Sequence, residues 1–332
     1  MLKHSLILIY RNYLRAKGYF FINLIGLATG LTCTLLIYLW VRDELNMNKF
    51  HDHDARLYQV MEHQQYADNL MTTSSTPGIL SEGLKDEFPE VEYAATFTWV
   101  NPFTLSVGEH NVKAKGFYVG ADFFQIFSFP LIEGQADKVL TDKLSIVISR
   151  DMARKLFDTD QNLVGKVVEF QHQKSFTVMG VYENLPSSSS YQFDFVLPFE
   201  VFKEENEWVT EWGNNGPSTM IVLREGSDAA AFSDKIRDYI KGKTEKSNVT
   251  LFLQKFSDRY LYGRYENGVQ SGGRIEYVNL FSIIAIVILI IACINFMNLA
   301  TARASRKAKE VGIKKSIGAQ RGSLVLQYIS ES

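Results

Sequence analysis

Two stretches of the chain are apolar without interruption, and the region between them alternates. Gly18 to Val41 and Tyr277 to Ala302 contain no Asp, Glu, Lys or Arg over 24 and 26 positions. At about 1.5 Å per residue, either block wound as a helix outreaches the ~30 Å hydrocarbon core of a bilayer. The pattern predicts two transmembrane helices, at 18–41 and 277–302. The first is too long for the apolar region of a secretory signal, and bulky Leu39-Trp40-Val41 replaces the small residues of a cleavage site. It reads as an uncleaved anchor. Before it, Leu2, Leu6, Ile9 and Tyr13 make a helical stripe away from Arg11, Arg15 and Lys17. Residues 1–17 are therefore expected to form an amphipathic helix in the membrane interface, rather than a frayed basic tail.

Between the spans, residues 42–276 switch between a period of two and a period near 3.6. Strands are expected at 56–65, 93–107, 112–119, 144–148, 167–170, 176–181, 193–197, 219–223 and 249–256. Helices are expected from Thr76-Pro77 to Glu87, over 151–157 with Ser149 as N-cap, and over 228–241. Mixed in this way, the elements predict an α+β domain of about 235 residues. Pro186 to Ser190 and Gly213 to Pro217 read as seams between subdomains, and Gly263 to Gly273 as a flexible lead into the second span.

Charge orients the chain. The overall formal charge of −2 conceals a division: residues 1–17 carry four basic side chains and no acid, and residues 303–332 carry seven against two acids. The intervening loop has 24 basic and 35 acidic residues, a net of −11. The positive-inside rule then puts both ends in the cytoplasm and the loop outside, in the periplasm of a cell with an inner membrane. An acidic exported loop gives no reason to expect nucleic-acid binding. Both cysteines, Cys33 and Cys293, fall in the apolar blocks, so the exported domain is expected to fold without disulfides.

Catalytic motifs are missing. Gly242-Lys243-Thr244 lacks the first glycine of a phosphate-binding loop, position 237 being Arg, and it closes a helix rather than opening one. No nucleophile elbow or paired-histidine zinc motif occurs. His51-Asp52-His53-Asp54 has the donor types of a metal site but no third ligand at a telling distance, and reads as a solvated loop. No cofactor, metal or enzymatic activity is expected. Gly26 and Gly30 are four apart in the first span, and small residues at that spacing let a second helix approach closely. Asn295 and Asn298 lie one turn apart in the second span, as helix-packing amides rather than the lining of a pathway.

The residues after the second span carry the most specific pattern. Ala300, Ala304, Ala308 and Val311 form one stripe, and Arg306, Glu310 and Lys314 form i, i+4 pairs on another face. Gly318 is a natural helix stop with Lys314 and Lys315 in the last turn. A new helix is expected from Leu324, capped by Ser323. A helix thus leaves the membrane, turns at Gly318-Ala319 and heads back, making a short cytoplasmic elbow. The plainer alternative is a basic juxtamembrane helix lying on lipid headgroups. Glu310-Val-Gly-Ile-Lys-Lys-Ser-Ile-Gly-Ala319 resembles the signature of the FtsX-like permeases of ABC transporters, in particular the MacB-like type. Ser145 to Val181, with Ala153-Arg-Lys-Leu-Phe157, Val164-Gly-Lys166 and Val178-Met-Gly-Val181, is similar to that family's exported core.

The resemblance implies an exported domain of two lobes, one inserted in the other. It also implies a separate ABC ATPase as partner, a permease dimer, and an adaptor or outer-membrane partner in some members. The ATPase would meet the elbow at Lys309, Glu310, Val311, Gly312, Ile313, Lys314, Lys315, Ile317, Gly318 and Ala319. Export of a peptide, drug or lipid-linked cargo, or mechanotransmission without cargo, fits the same topology. Family members have further spans after the elbow, so a chain ending at Ser332 is expected to be an N-terminal part. The competing class is a two-span receptor with an exported sensor. It would continue into a heptad-bearing signalling helix, whereas here glycines break the helix.

Overall fold

The computed structural model describes residues 17–318 apart from 68 and 246, together with positions 320, 322 and 325. The interfacial helix expected at 1–17 and the helix expected from Leu324 lie outside the described residues, apart from Lys17, where the first helix starts. The chain divides into two compact units, residues 1–43 with 276–332 and residues 44–275.

The first unit is helical. α1 spans Lys17–Leu45 and α8 spans Ile275–Ser316. Within them, Leu24–Leu45 and Ile275–Asn298 are long and apolar enough to cross a membrane. The first of these windows lies a few residues later than the block read from charge alone.

The second unit is a 12-stranded mixed sheet with short helices, and its topology resolves into two lobes. The outer lobe pairs β1 (Leu57–Tyr66) with β2 (Asn69–Thr73), β11 (Ser218–Leu223) and β12 (Val249–Lys255), and β11 with β3 (Val91–Phe97), all antiparallel. Helices α2 (Leu80–Glu87) and α6 (Ala229–Ile236) bury Leu80, Leu84, Phe232 and Ile236 together with Val60, Ile221 and Leu251. Asp228 caps α6 by accepting from the amides of Ala230 and Ala231.

The inner lobe is inserted between β3 and β11. Its strands are β4 (Asn101–Val107), β5 (His110–Val119), β7 (Ser145–Ser149), β8 (Val167–Phe170), β9 (Lys174–Tyr182) and β10 (Phe195–Pro198). β10 pairs β7 on one side and runs parallel to β5 on the other. With β7–β9, β9–β8, β8–β4 and β4–β5, the six strands close into a ring. Side chains alternate across it. Ile146 and Ile148, Phe195 and Leu197, and Ala114 and Tyr118 share one core with α4 (Arg150–Phe157) and α5 (Phe199–Glu205). Val147, Val196, Phe117 and Val119 point the other way, into a phenylalanine-rich core shared with the outer lobe. That core adds Phe97, Phe123, Phe127 and Phe129, with α3 (Phe123–Ile126) and α7 (Phe256–Arg259) against it. β6 (Leu131–Glu133) adds to β9.

Three local readings are corrected. Residues 263–273 are not a plain lead: β13 (Arg264–Glu266) and β14 (Val269–Gly272) pair as a hairpin. The helix expected from Pro77 starts at Leu80, because Pro77 bridges Asn215 of the returning chain. The helix expected over 228–241 ends at Ile236. The amide of Leu251 in β12 takes the carbonyl of Arg237 at 2.8 Å, so strand pairing removes an acceptor the helix would use. Ser149 does cap α4, accepting from the amide of Met152 at 3.2 Å.

Candidate functional site

In the helical unit, the small residues of α1 face α8. A Cβ on Gly30 would stand 2.7 Å from the Cβ of Ala292, and one on Gly26 would stand 3.3 Å from the Nδ2 of Asn295. Thr34 donates to the Gly30 carbonyl at 2.9 Å and reaches the Ala285 carbonyl at 3.4 Å. Trp40 packs edge-on against Phe281, with centroids 5.0 Å apart. In lipid, where tails are as apolar as leucine, such close packing and local hydrogen bonding hold helices together. Asn295 is thus brought to Gly26, whereas Asn298 is exposed.

α8 continues without a break from Ile275 to Ser316. Gly318 stops it at φ +93°, a left-handed conformation that glycine adopts without a Cβ penalty, and its amide bonds the Lys315 carbonyl at 3.2 Å. Ile313 is 60% exposed and Ile317 80%. Gly312 and Lys315 are exposed, Val311 and Lys314 half-buried. Beyond its own helix backbone and chain neighbours, no described atom lies within 4 Å of where a Cβ on Gly312 would stand. Lys309 and Glu310 lie within α8, but their side chains, like that of Arg306, fall outside the described residues, as does Ala319.

In the α+β unit the structure places side chains that the sequence pattern misread or missed. His51, expected in a solvated loop, is 4% exposed and boxed by the rings of Phe50, Phe127, Phe129 and Phe256. Its Nδ1 accepts from the Ser128 amide at 3.3 Å. Burial pushes its pKa down to about 4 despite nearby Asp54 and Asp52, so the ring is neutral. His53 contacts Arg56 at 3.1 Å and Asp54 pairs with Lys255 at 3.5 Å. Among the described residues, no three His, Cys, Asp or Glu side chains converge as a metal site.

Glu62 is fully buried in β1. One carboxylate oxygen accepts from Gln64 at 2.9 Å and from Asn215; the other has no partner. Burial pushes its pKa up to about 7, against the pull of those two amides. Asn215 belongs to the segment 213–217 that returns from the inner lobe, so this carboxylate sits where the lobes' crossover is pinned. Nothing in the period-two pattern of β1 distinguishes Glu62 from a surface residue.

The chain's two entrances to this unit are tied together. Glu44, 5% exposed, takes two hydrogen bonds from Arg274, at 2.7 and 3.2 Å. The same guanidinium lies 4.7 Å over the ring of Tyr260. A sequence signal was available: Glu44 stands three residues after the first apolar block and Arg274 three before the second, with opposite signs.

Two apolar helices bounding a two-lobed α+β domain, with small residues packed between the helices and the second helix stopped at Gly318, define a class of membrane-anchored protein. The family model of the MacB-like periplasmic core domain matches residues 20–239, and that of the FtsX-like permease C-terminal region matches residues 282–332. The chain belongs to the MacB-like periplasmic core domain family, and its residues 282–332 are similar to the FtsX-like permease region. It is 23% identical over 255 residues to YknZ of Bacillus subtilis (strain 168), described as an uncharacterized ABC transporter permease, covering 76% of this chain and 56% of that one. It is 22% identical over 236 residues to the macrolide export ATP-binding/permease protein MacB of Photorhabdus laumondii, covering 69% of this chain and 34% of that one. The chain therefore spans about half or a third of the length of these relatives. A crystallised Porphyromonas gingivalis domain, described as part of a permease protein, shares the fold. It is 24% identical, with a TM-score of 0.54, and the match covers 62% of this chain and 93% of that domain.

Proposed function

We propose that this chain is the permease part of an ABC transporter, with both described ends cytoplasmic, the α+β domain exported, and a separate ATPase seated on the elbow around Ile313 and Ile317. The observation that carries this reading is α8 itself: one unbroken helix of 42 residues, ending at Gly318 with two large apolar side chains one turn apart in solvent. Exposed isoleucines beside a left-handed glycine stop suit a protein contact more than a lipid-headgroup contact. A rigid helix passes a push along its axis without bending, which is what coupling of ATP-driven closure to an exported domain requires. YknZ and MacB, named as permeases, support the assignment.

The ATPase contact is tested by co-purification of the permease with its partner ATPase. Ile313→Asp places a charge in the apolar contact and should cost about 2–4 kcal/mol, enough to abolish most assembly. Lys314→Ala with Lys315→Ala should leave the complex largely intact. An intact complex with Ile313→Asp, and lost membrane association in the double lysine variant, would make the elbow a lipid-facing helix instead.

Orientation is tested with single cysteines in a protein carrying Cys33→Ala and Cys293→Ala. An impermeant maleimide applied to intact cells should label Ser187→Cys, an exposed position in the 186–190 loop, and leave Gln320→Cys unlabelled until the cells are lysed. The reverse pattern inverts the topology.

A further inference from the structure

Both chain connections of the exported unit are pinned at the same place. Where the chain enters, Glu44 is buried and bound by Arg274. Four residues on, Asn48 is fully buried with φ +61°, a strained value for a side-chain-bearing residue. It is held there by three hydrogen bonds to one loop. Its amide donates to the Ser188 carbonyl at 2.8 Å, its Nδ2 donates to the Ser190 hydroxyl at 2.9 Å, and its Oδ1 accepts from the Ser190 amide at 2.8 Å. Where the chain leaves, the Ile275 amide bonds the Leu261 carbonyl at 3.1 Å, and Gly273 (φ +140°) packs so tightly that a Cβ would stand 2.6 Å from the Leu261 oxygen. Arg274 lies between these two pinned segments, forked onto Glu44 and stacked on Tyr260. A tether between a membrane helix and an exported domain is usually exposed and poor in contacts. Here both connections are hydrogen-bonded into the domain and joined to each other by a bidentate charge pair, a geometry with fixed orientation.

We propose that Glu44, Arg274 and Tyr260 form a clasp that makes the two chain connections of the exported domain open and close as one body, with Arg274 as the positioning residue. In the permease reading, on which its functional meaning rests, the clasp prevents either connection from absorbing a displacement by local unfolding. The displacement is handed through Asn48 to the 186–190 loop and through Leu261 to α7.

Hydrogen exchange of the full chain in detergent micelles, read by mass spectrometry, tests this. Arg274→Ala should raise amide exchange at least tenfold in both 44–52 and 260–275, with β1 and β11 unchanged. Arg274→Lys keeps the charge but loses the fork, and should recover part of the protection in both segments together. Tyr260→Leu should loosen both to a smaller extent. Faster exchange confined to 272–275, or recovery in one segment without the other, would overturn the clasp. Exchange is measured without an ATPase, so a clasp that behaves as stated while Ile313→Asp fails to disturb the complex would leave the clasp standing and remove the permease coupling.

Discussion

Gly116→Val should strongly destabilise the inner lobe while leaving the membrane helices in place. Gly116 sits in β5, directly beside Phe195 of β10 in the parallel register that closes the six-stranded ring. A Cβ there would stand 2.5 Å from Cε2 of that ring and closer still to Cζ and Cε1. Phe195 has no exposed surface and cannot swing aside, because Phe103 and Phe170 pack against it at centroid distances of 5.9 and 6.1 Å. Overpacking a rigid core costs roughly 1–3 kcal/mol and occasionally more. A ring of strands has fewer ways to relax than an open sheet, so the upper end, about 3 kcal/mol, is expected for valine and less for alanine. Against a total stability of about 5–15 kcal/mol this is a large fraction. The measurement is the urea midpoint of the full chain in detergent, followed by tryptophan fluorescence. Phe195→Leu should restore part of the loss in a Gly116→Ala background. Equal midpoints for wild type and Gly116→Val would show that the ring is not closed at this point.

The second large effect is a pH dependence located at Glu62. Its carboxyl ordinarily titrates near 4.5 and is raised to about 7 in the folded chain. Between these values the folded protein binds a proton that the unfolded chain has released. The contribution of Glu62 to stability therefore falls as pH climbs from about 4.5 through about 7, and stays low above it; His51 contributes equally to wild type and to a Glu62 variant and cancels in their comparison. The full cost of ionising this buried group is on the order of 3 kcal/mol. Glu62→Gln keeps the shape and removes the charge: its carbonyl still accepts from Gln64 and Asn215, and its own NH2, in place of the partnerless oxygen, is buried without an acceptor at a cost of about 1 kcal/mol. The variant should be the more stable protein at pH 8, by about 2 kcal/mol, and slightly the less stable at pH 5. Urea midpoints at the two values give the comparison. A difference of the same size and sign at both would mean that Glu62 does not titrate in this range. The charged groups nearest in sequence do not offset it: His63 points to the other face, stacked on Phe252 and bonded to Thr72.

Much of this architecture was legible in the residue pattern because its causes are local. The two spans needed only a count of uncharged positions. Ser149 before Arg150–Phe157 was readable because capping is a contact over three residues. β1, β7, β8 and β11 followed from short runs of β-branched and aromatic side chains. Elements decided at long range were not readable. The helix at 228–241 is cut short by a strand 14 residues further on, and Pro77 is drawn into a bridge with Asn215 by a chain that leaves for another lobe and returns. His51 looked solvated because His-Asp-His-Asp is a polar string; the rings that enclose it come from positions 50, 127, 129 and 256. At the candidate site, Gly26 and Gly30 were visible as a spacing along α1, and Asn295 and the residues up to Gly318 as spacings along α8 and its end. Glu44 and Arg274 were separated by 230 residues, and only their mirrored placement about the apolar blocks connects them.

The insertion of one lobe in the other also fixes a timetable. β1 ends at Tyr66, but it pairs with β11 at 218–223 and β12 at 249–255. Apart from β2, its partners are made last. At roughly 5–20 residues per second of synthesis, β1 waits on the order of 10–30 s with the ladder groups that meet β11 and β12 unpaired, while the six strands of the inner lobe are all already present and can close. For that interval the nascent chain carries a finished ring on an unfinished sheet, and the half-built outer lobe is the part of the molecule that needs protection from a neighbouring strand.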